Sequence, residues 1–401
     1  MYIRIIFFCA SLIFSISVKA SESDSQLFYR TIEQRLGVMH EVAAYKWHRN
    51  MPIEDTNREE RVLENGLKVA ERFGFESNTI ESFLRLQIEA AKQIQEYWHT
   101  QWEGRIPRDK LTNVPDLASE IRPQLLDLNE KMLSGLANFY GPHDRSSYLE
   151  VVQAEGLSPE MRNDIYKSIL EIRFYPDRLR QIKALGKLRV GTTGDYLPFS
   201  YKKNDESKVD GTDIKLAKSL ARHLGVELVF FMTSWPTLME DLSHGFFDIG
   251  MGGISITPSR AELAYFSIPY FEGGKTPIVR CEDTDRFLSL EDIDRIGTRL
   301  IVNPGGTNQR FLANNISHAQ VILHDDNRTI FQEIIDGKAD VMITDRIEVD
   351  LQASLHSELC SPLEHNLNQQ QKAYLLPKDS VWKAFVDKWL TNELAVGRPK
   401  N

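Results

Sequence analysis

Two patterns of apolar and polar positions divide the chain. From Ser25 to about Arg180, apolar residues recur at helical spacing in long runs such as LENGLKVAERFGF and TIESFLRLQIEAAKQIQEYWHTQW. After Leu185 the pattern changes to short apolar runs, among them KLRVGTT, VELVFFM, RLIVNPG and ADVMITD, which alternate with helical segments. The first pattern predicts a helix bundle, and the second predicts an α/β domain.

The first twenty residues have the pattern of a secretory signal peptide. Arg4 precedes the apolar run IIFFCASLIF, and a short segment that ends at Ala20 precedes Ser21. The apolar run is shorter than the roughly 20 residues that span a bilayer, and no later segment qualifies. We therefore expect cleavage near Ala20 and a mature protein outside the cytoplasm, without a membrane anchor. The predicted boundaries are residues 1–20 for the signal peptide, 21–180 for the helical domain and 181–401 for the α/β domain.

Charge and cysteine content narrow the choice of partners and cofactors. The chain has 48 Lys and Arg against 57 Asp and Glu, a net charge of -9, so we do not expect it to bind nucleic acid. Cys9 would leave with the signal peptide, and Cys281 and Cys360 would remain as an even pair in an oxidising compartment. A disulfide between them is the economical interpretation. The spacing of Cys and His does not suggest a metal site, and we expect no metal and no other cofactor.

The helical segment RLGVMHEVAAYKWHRNMPIEDTNRE concentrates cations and carboxylates on two faces. Arg35 and Lys46 are separated by about three helical turns, so both point the same way. After a proline, Asp55, Arg58 and Glu59 restart a helix at spacings that again share one face. The two faces can converge on one small anion. Spacing alone is equally compatible with an amphipathic helix whose cations lie beside the core.

Longer motifs decide between these two interpretations. The run VAAYKWHRNMPIEDTNRE, Gln95 in QIEAAKQIQ and Arg122 in PDLASEIRPQLLDLNEKML resemble the exported class of all-helical chorismate mutases over roughly residues 28–140. The resemblance implies the rearrangement of chorismate to prephenate, with Lys46 and Gln95 donating to the ether oxygen. The other implied roles are carboxylate binding by Arg35, Arg58 and Arg122, acceptance of the ring hydroxyl by Glu59, and orientation of the cations by Asp55.

The α/β half carries a second group of candidate residues. Strand KLRVGTTGDYLPFSY ends in a turn that exposes Tyr196 at its carboxyl end, where α/β sheets bind ligands. The following run contains Trp235, Ser255 and a Gly-rich turn that leads to Arg260. Over most of residues 186–395 this half resembles the two-lobed amino-acid-binding proteins found outside the cytoplasm. In that family the Gly-x-Ser turn and the following arginine clamp an α-carboxylate, here Ser255 and Arg260, and aromatic residues line the cleft.

The last motifs point from a binding protein towards an enzyme. The turn NPGGTN directs the helix-start amides of Thr307 and Asn308 at the cleft. Asp345 stands where the binding proteins hold a ligand's ammonium, and Glu348 lies one turn further on. The runs TTGDYLPFSY, YFSIPYFEGGKTPI, IVNPGGTNQRF and TDRIE resemble cyclohexadienyl dehydratases, which also have a cysteine pair at the corresponding positions. That resemblance implies the dehydration and decarboxylation of prephenate, with Glu348 as a protonated, partly desolvated general acid.

Together, the two resemblances predict a multidomain protein in which an all-α chorismate mutase bundle is followed by a two-lobed α/β domain of the periplasmic-binding-protein type (type II). The predicted function is a bifunctional periplasmic enzyme that converts chorismate to prephenate, and prephenate or arogenate to phenylpyruvate or phenylalanine. The alternative is a chorismate mutase fused to an amino-acid receptor without dehydratase activity, and Glu348 favours the enzyme. A third interpretation has an inactive helical domain that serves dimerisation, and the retained Arg35, Lys46, Arg58 and Gln95 argue against it. The protein partner considered is a second copy of this chain, in a homodimer through the helical domain.

Two positions depart from the family patterns. Ala91 stands where relatives of the mutase often have a hydroxyl residue, so one contact to the ligand would be missing. The chain stops at Asn401, earlier than dehydratase relatives that continue with another helix. No segment is left over for an ACT-like regulatory domain, so we do not expect feedback inhibition by phenylalanine.

Overall fold

The computed structural model describes residues 24–107, 113–139, 142–202 and 208–396, so the predicted signal peptide, with Cys9, lies outside the described residues. Contacts divide this part of the chain into two compact units. The first contains the described residues up to Gly66 together with Glu81–Glu171, and the second contains Leu67–Ile80 together with the residues from Ile172 onwards. The domain boundary predicted between residues 180 and 181 stays a prediction.

The chain is helical before its first strand. The helices are α1 (Asp24–Gly37), α2 (Met39–His48), α3 (Thr56–Phe73), α4 (Ser77–Trp102), α5 (Arg122–Asn138), α6 (Arg145–Val151), α7 (Pro159–Glu171) and α8 (Arg178–Leu185), and a π-helix (Leu117–Ile121) leads into α5. Helix α1 shows how the apolar period builds the first unit. Phe28, Ile32 and Leu36 are four residues apart and fully buried, and α1 packs along α5. The predicted helical fold of this segment is confirmed.

The second unit adds strands and further helices. The strands are β1 (Lys187–Thr192), β2 (Asp195–Tyr196), β3 (Ser200–Lys202), β4 (Val209–Asp210), β5 (Glu227–Met232), β6 (Ile249–Gly250), β7 (Tyr265–Phe266), β8 (Phe271–Gly273), β9 (Lys275–Arg280), β10 (Arg299–Val302), β11 (Gln320–Leu323), β12 (Val341–Asp345), β13 (Leu359–Cys360), β14 (Gln370–Lys372) and β15 (Leu375–Leu376). The helices are α9 (Thr212–Leu224), α10 (Leu238–Ser243), α11 (Pro258–Leu263), α12 (Leu290–Ile293), α13 (Thr307–Asn315), α14 (Ile330–Ile335), α15 (Arg346–Leu355) and α16 (Ser380–Val396).

In the described residues, most of these strands form two five-stranded sheets. The first sheet has the order β5-β1-β6-β15-β7, with β1 parallel to both of its neighbours and β15 antiparallel to both of its own. The second has the order β11-β10-β12-β9-β13, with β10 parallel to β11 and β12, and β9 antiparallel to β12. Each sheet is the centre of one lobe, named the first and the second lobe below. The predicted two-lobed α/β fold is confirmed.

One ion-pair arrangement recurs in both lobes. In the first lobe, the guanidinium of Arg189 contacts Asp248, with an Nη2 to Oδ1 distance of 2.6 Å, and the backbone N–H of Arg189 donates to the same carboxylate at 2.8 Å. In the second lobe, Arg299 and Asp340 make the same contacts at 2.7 and 2.8 Å. Both aspartates are buried, so each carboxylate is desolvated and held by donors. The pairs fix the amino-terminal ends of β1 and β10.

The predicted disulfide is present in the second lobe. Cys281 and Cys360 are bonded, with a Cα to Cα distance of 4.8 Å and a sequence separation of 79 residues. The bond joins the chain after β9 to β13, which pairs with β9 at the edge of the sheet. In the chain-entropy description, closing a loop of this length contributes on the order of 4 kcal/mol to the free energy of unfolding.

Of the helices in the described residues, none has the length and apolar character to cross a membrane.

Candidate active sites

A cavity of about 360 Å³ opens in the first unit. Its walls include every residue that the sequence analysis assigned to this site: Arg35, Lys46, Asp55, Arg58, Glu59, Gln95 and Arg122. Ala91 and Lys92 of α4 also line it, together with apolar side chains such as Val42 and Leu125. The structure therefore brings the predicted residues together around one volume, and their individual roles stay predictions.

Arg35 is the most deeply buried cation of this cavity. It is 5% exposed, its Nε donates to Oδ1 of Asn129 at 2.7 Å, and its Nη1 donates to the backbone carbonyl of Gln87 at 3.2 Å. Burial lowers the pKa of Arg35 to about 10, so the guanidinium remains charged at neutral pH. The sequence analysis did not find Gln87 and Asn129, because uncharged residues on other helices carry no signal in spacing.

Lys46 faces the cavity from α2. Its Nζ donates to the carbonyl of Ile53 at 2.6 Å, which leaves further donor hydrogens for a ligand because an ammonium has three. Burial lowers the pKa of Lys46, the carboxylates of Asp55 and Glu59 oppose this shift, and the charge of Arg122 adds to it. Lys46 thus stands among charges of both signs, as the sequence analysis expected.

Asp55 and Glu59 are tied to the start of α3. Oδ1 of Asp55 accepts from the backbone N–H of Arg58 at 3.0 Å, and Oε1 of Glu59 accepts from the backbone N–H of Asp55 at 3.1 Å. This reciprocal pattern satisfies donors that a helix start leaves without partners. Asp55 therefore caps the start of α3, and its predicted role in orienting the cations stays a prediction.

Lys92 is a cavity residue that the sequence analysis missed. Its Nζ lies 3.2 Å from Oε2 of Glu59 and 2.8 Å from Oε1 of Glu89, and hydrogen bonds to these carboxylates raise the pKa of Lys92. The available signal was its position on α4, three residues before Gln95 and therefore on the same face.

Gln95 is itself buried, and its Nε2 donates to the carbonyl of Ala91 at 2.8 Å.

The second unit has a small cavity of about 30 Å³ between its two lobes, enough for roughly two water molecules. It contains all the predicted residues of this half: Tyr196, Trp235, Ser255, Arg260, Thr307, Asn308, Asp345 and Glu348. The other polar side chains of its lining, which the sequence analysis missed, are Asn303, Asn327, Thr344 and Lys372. The lobes are in close contact here, since a Cβ added to Gly305 would lie 2.5 Å from the backbone nitrogen of Pro236.

Asp345 is the centre of a buried ionic cluster. Its Oδ1 lies 3.1 Å from Nζ of Lys275, its Oδ2 lies 2.7 Å from Nζ of Lys372, and the hydroxyl of Tyr196 donates to Oδ2. Burial opposes ionisation of Asp345, but the charges of Lys372 and Lys275 outweigh it and hold the pKa of Asp345 well below its usual range. The sequence analysis expected Asp345 to meet the ammonium of a ligand, whereas here its carboxylate meets two ammonium groups of the protein.

Glu348 has the opposite electrostatic state although it lies only three residues away. It is 2% exposed, Thr344 donates its hydroxyl to Oε2 at 2.6 Å, and Nδ2 of Asn327 donates to Oε1 at 3.3 Å. Burial raises the pKa of Glu348 to about 8; the bond from Thr344 opposes this shift, and the charges of Asp345 and Asp195 add to it. Glu348 therefore keeps its proton at neutral pH, as a general acid must.

Arg260 and Ser255 meet at the predicted carboxylate clamp. Nη1 of Arg260 donates to the carbonyl of Ser255 at 3.0 Å, and burial lowers the pKa of Arg260 to about 10. The Ser255 hydroxyl accepts from Nζ of Lys372 at 3.3 Å and donates to Oε1 of Gln370 at 3.2 Å. The clamp is thus connected to the cluster around Asp345 through one lysine.

A chain of hydrogen bonds links the second lobe's residues to Glu348. Nζ of Lys275 donates to Oγ1 of Thr307 at 3.2 Å and also to Oδ1 of Asn308. Nδ2 of Asn308 donates in turn to Oγ1 of Thr344 at 3.0 Å, and Thr344 donates to Glu348. The start of α13 has no side-chain cap, so its first amides remain available to an anion in the cavity.

Comparison with known proteins agrees with this arrangement. Residues 188–397 match the family described as bacterial extracellular solute-binding proteins, family 3. The chain belongs to this family. Residues 19–96 match a second family, chorismate mutase type II. The predicted fusion of a chorismate mutase domain with a solute-binding-protein domain is therefore confirmed.

Individual relatives support an enzyme in each half. This family 3 protein is 51% identical over 214 residues to cyclohexadienyl dehydratase of Pseudomonas aeruginosa, which covers 53% of this chain and 80% of the relative. It is 27% identical over 147 residues to the monofunctional chorismate mutase of Enterobacter agglomerans, covering 35% of this chain and 80% of the relative. A crystal structure of the ancestral amino acid-binding protein AncCDT-1, a precursor of cyclohexadienyl dehydratase, matches with a TM-score of 0.51 and 33% identity, covering 55% and 94% of the two chains.

The proton on Glu348 should leave a signature in the pH dependence of stability. Because the pKa of Glu348 rises from 4.5 to about 8 on folding, the folded state keeps a proton that the unfolded state releases between these values, so stability falls as the pH rises through this window. Glu348→Gln cannot titrate. We therefore expect the free energy of unfolding of wild type to fall, relative to that of this variant, by up to about 1.4 kcal/mol per pH unit. Urea unfolding between roughly pH 5 and 8 measures this difference. A difference that stays constant across this range would contradict a protonated Glu348.

Proposed function

We propose that this chain is a bifunctional exported enzyme. The helical unit rearranges chorismate to prephenate, and the α/β unit removes water and carbon dioxide from prephenate to give phenylpyruvate. The observation that carries the second step is Glu348, a buried carboxyl with a pKa of about 8 at a cavity lined by cations. Similarity to a chorismate mutase and to a cyclohexadienyl dehydratase supports the pairing, because the product of the first reaction is the substrate of the second.

The mutase step needs positioning and charge stabilisation rather than a nucleophile. A pericyclic rearrangement of a flexible dianion is accelerated by holding a compact conformer and by stabilising the charge that grows on the ether oxygen. We assign the binding of that oxygen to Lys46 and Gln95, which line the same cavity and each have a donor hydrogen beyond the one given to a backbone carbonyl. Glu59 accepts the ring hydroxyl, and Lys92, 3.2 Å away, positions it. The residues assigned to the carboxylates are Arg35, Arg58 and Arg122.

Lys46→Ala should abolish the loss of chorismate. Removing one donor to a developing oxyanion typically lowers kcat by about 10²–10³-fold, and the variant should still convert supplied prephenate. Chorismate disappearance and phenylpyruvate formation, followed separately in the full-length mature protein, measure both steps. Lys131→Ala is the matched control, because Lys131 is an exposed lysine of the same unit that pairs only with Asp127 in the contacts described. Near wild-type mutase rates in Lys46→Ala would show that the anion site lies elsewhere.

The dehydratase step needs one acid and firm binding of two carboxylates. Glu348 gives its proton to the departing ring hydroxyl, and the carbon–oxygen bond breaks to release water. The bond to the ring carboxylate breaks at the same time, and its electron pair completes the aromatic ring as carbon dioxide leaves. Arg260, the unpaired amides of α13 and the cluster around Asp345 hold the carboxylates.

The second candidate function is an amino-acid receptor, because AncCDT-1 of similar fold is an amino acid-binding protein. A receptor for amino acids needs an acceptor for the ligand's ammonium. The carboxylate that would serve, Asp345, is already paired with Lys275 and Lys372. A protonated Glu348 also has no evident use in a receptor. The site therefore favours the dehydratase.

Glu348→Gln separates the two functions. The substitution keeps the shape of the side chain and removes the dissociable proton, so chorismate supplied to the full-length variant should accumulate as prephenate. Proton transfer by a positioned acid contributes typically about 10²–10⁴-fold, which is the loss of kcat that we expect. Glu358→Gln, an exposed glutamate of the same lobe, serves as control. Tight binding of amino acids by wild type, with prephenate left untouched, would establish the receptor instead.

The charges around this cavity favour prephenate over arogenate. Among the residues that line the cavity, together with Lys275 that binds Asp345, there are three positive charges (Arg260, Lys275 and Lys372) and one negative charge (Asp345), and Glu348 is neutral. Asp213, whose charge interacts with that of Lys372, lies outside this lining and is not counted. The surplus of two positive charges matches the two carboxylates of prephenate. Arogenate also carries an ammonium group. The surplus positive charge of the site would repel this group, and no free carboxylate is available to bind it.

We therefore expect kcat/KM for prephenate to exceed that for arogenate by roughly tenfold or more, since a mismatched charge costs at least about 1.4 kcal/mol. Lys372→Met should shift this ratio towards arogenate, because it removes one positive charge and one of the two donors to Oδ2 of Asp345, so that this oxygen can accept from an ammonium beside Tyr196. Rates with each substrate, supplied separately to wild type and variant, measure the ratio. Equal efficiency with both substrates in wild type would contradict the charge argument.

The remaining parts of the proposal concern location and assembly. Membership of an extracellular solute-binding family supports export, and we propose that residues 1–20 are a signal peptide cleaved near Ala20, with the mature enzyme in the periplasm. We further propose a homodimer through the helical domain, and no nucleic-acid partner. The sequence boundary between the two catalytic domains is proposed near residue 180.

A further inference from the structure

A second cavity of about 140 Å³ lies behind Glu348 in the α/β unit. Glu348 and Asn327 line both this cavity and the smaller one that contains the predicted substrate-binding residues. The carboxyl of Glu348 therefore lies at the boundary between the two volumes. Neither the proposed chemistry nor the binding of carboxylates uses the second cavity.

One face of α15 leads from the buried carboxyl to the surface. Glu348, Gln352 and Leu355 are spaced at i, i+4 and i+7, so they lie on one side of the helix, and all three line the second cavity. Exposure increases along this face from 2% at Glu348 and 9% at Gln352 to 58% at Leu355. The lining of this cavity thus extends from the buried acid to the exposed Leu355, the position taken below as its mouth.

The inner wall of this cavity is suited to water. Besides Glu348, most of its lining residues have polar side chains: Asp195, Tyr201, Asn327, Arg328, Gln352 and His356. A polar cavity of this size has room for several water molecules, each with side chains to bind. The lining therefore offers hydrogen-bonding groups from Glu348 to the exposed end of this helix face.

If the α/β unit is the dehydratase proposed above, its reaction consumes one proton per turnover, and such a path could supply that proton. Prephenate, a dianion, and one proton become phenylpyruvate, a monoanion, with carbon dioxide and water. Each turnover therefore leaves Glu348 as a carboxylate that must regain one proton. On the cleft side the cavity has room for only about two water molecules, and the lobes approach each other closely beside it, at Gly305 and Pro236.

We propose that the second cavity is a proton-supply path through which Glu348 is recharged from solvent while the lobes remain closed. A water molecule beside Glu348 gives a proton to the carboxylate, so that one O–H bond forms and one breaks, and neighbouring water passes a proton inwards from the mouth at Leu355. No electron is transferred, and solvent is the only reactant. Asp195, Asn327 and Gln352 position the water and do not touch the substrate.

Filling the mouth of the cavity tests the path. Leu355→Trp, assayed with supplied prephenate in the full-length mature protein, should lower kcat by about tenfold or more and leave KM unchanged, up to the ~10²–10⁴-fold that proton transfer itself contributes. The deuterium solvent isotope effect on kcat should rise, because proton delivery becomes rate-limiting. Leu288→Trp is the matched control, since Leu288 is similarly exposed, at 56%, and does not line the cavity.

Gln352→Leu tests the same path without blocking the mouth. It removes a polar group from the wall, so kcat should fall and the solvent isotope effect should rise, with the unfolding midpoint measured to confirm that the variant is folded. If both variants keep the wild-type kcat and isotope effect, Glu348 is recharged through the open cleft and the proposal is wrong. A rise of KM together with the fall of kcat would indicate disturbed closure of the lobes, which also contradicts it. Failure of wild type to consume prephenate would instead refute the dehydratase function itself.

Discussion

The pairing of Asp345 with two buried lysines is the interaction on which the α/β site depends. An ammonium group without a partner in a dry cavity is costly, and a single carboxylate here satisfies Lys275 and Lys372 at once. Lys275 lies directly opposite Asp345 in the pairing of β9 with β12, and Lys372 arrives on β14. The hydroxyl of Tyr196, from the first lobe, binds the same carboxylate. Without Asp345, both cations would lose their counter-charge and the closed cleft would lose a contact between its lobes.

The same cluster explains how two carboxyls three residues apart hold opposite charge states. Asp345 receives the lysines and ionises, whereas Glu348, one turn further, receives only the neutral donors of Thr344 and Asn327. Burial then decides the state of Glu348 and raises its pKa, to which the nearby charge of Asp345 contributes. Carboxyls whose environments push their pKa values apart are the usual sign of divided acid and electrostatic roles. The lysines are thus needed twice, once to bind anions and once to prevent Asp345 from taking the proton.

Local spacing placed part of the helical site on shared faces because these residues lie within a few turns of one another, whereas Gln95 and Arg122 were indicated only by the resemblance to chorismate mutases. The eleven-residue interval between Arg35 and Lys46 and the restart at Asp55 fix shared faces by helix geometry alone. The ionic cluster around Asp345 was predicted less completely from the sequence. Lys275 and Lys372 meet Asp345 through an antiparallel pairing and a distant strand, and neither register can be deduced from the period of one segment. The sequence therefore indicated Asp345 but not its two lysine partners, and its contact with the ammonium of a ligand stays a prediction. Gln87 and Asn129, the supports of Arg35, were missed for the same reason, because each comes from another helix.

The repeated ion pairs at the starts of β1 and β10 show which parts of the α/β unit are scaffold. Arg189 binds Asp248 and Arg299 binds Asp340 in bidentate fashion, both aspartates are buried, and none of the four residues lines the cavity between the lobes. These pairs therefore stabilise each lobe whether the protein binds or catalyses. A closing cleft built on two such lobes already suffices for a receptor. The dehydratase proposed here needs in addition an acid that is neutral when the lobes close and that can be made neutral again after each turnover. We assign both requirements to side chains of a single helix, α15, one face of which lines the cavity behind Glu348. Function in this fold is therefore decided by a few positions at the cleft rather than by the lobes themselves.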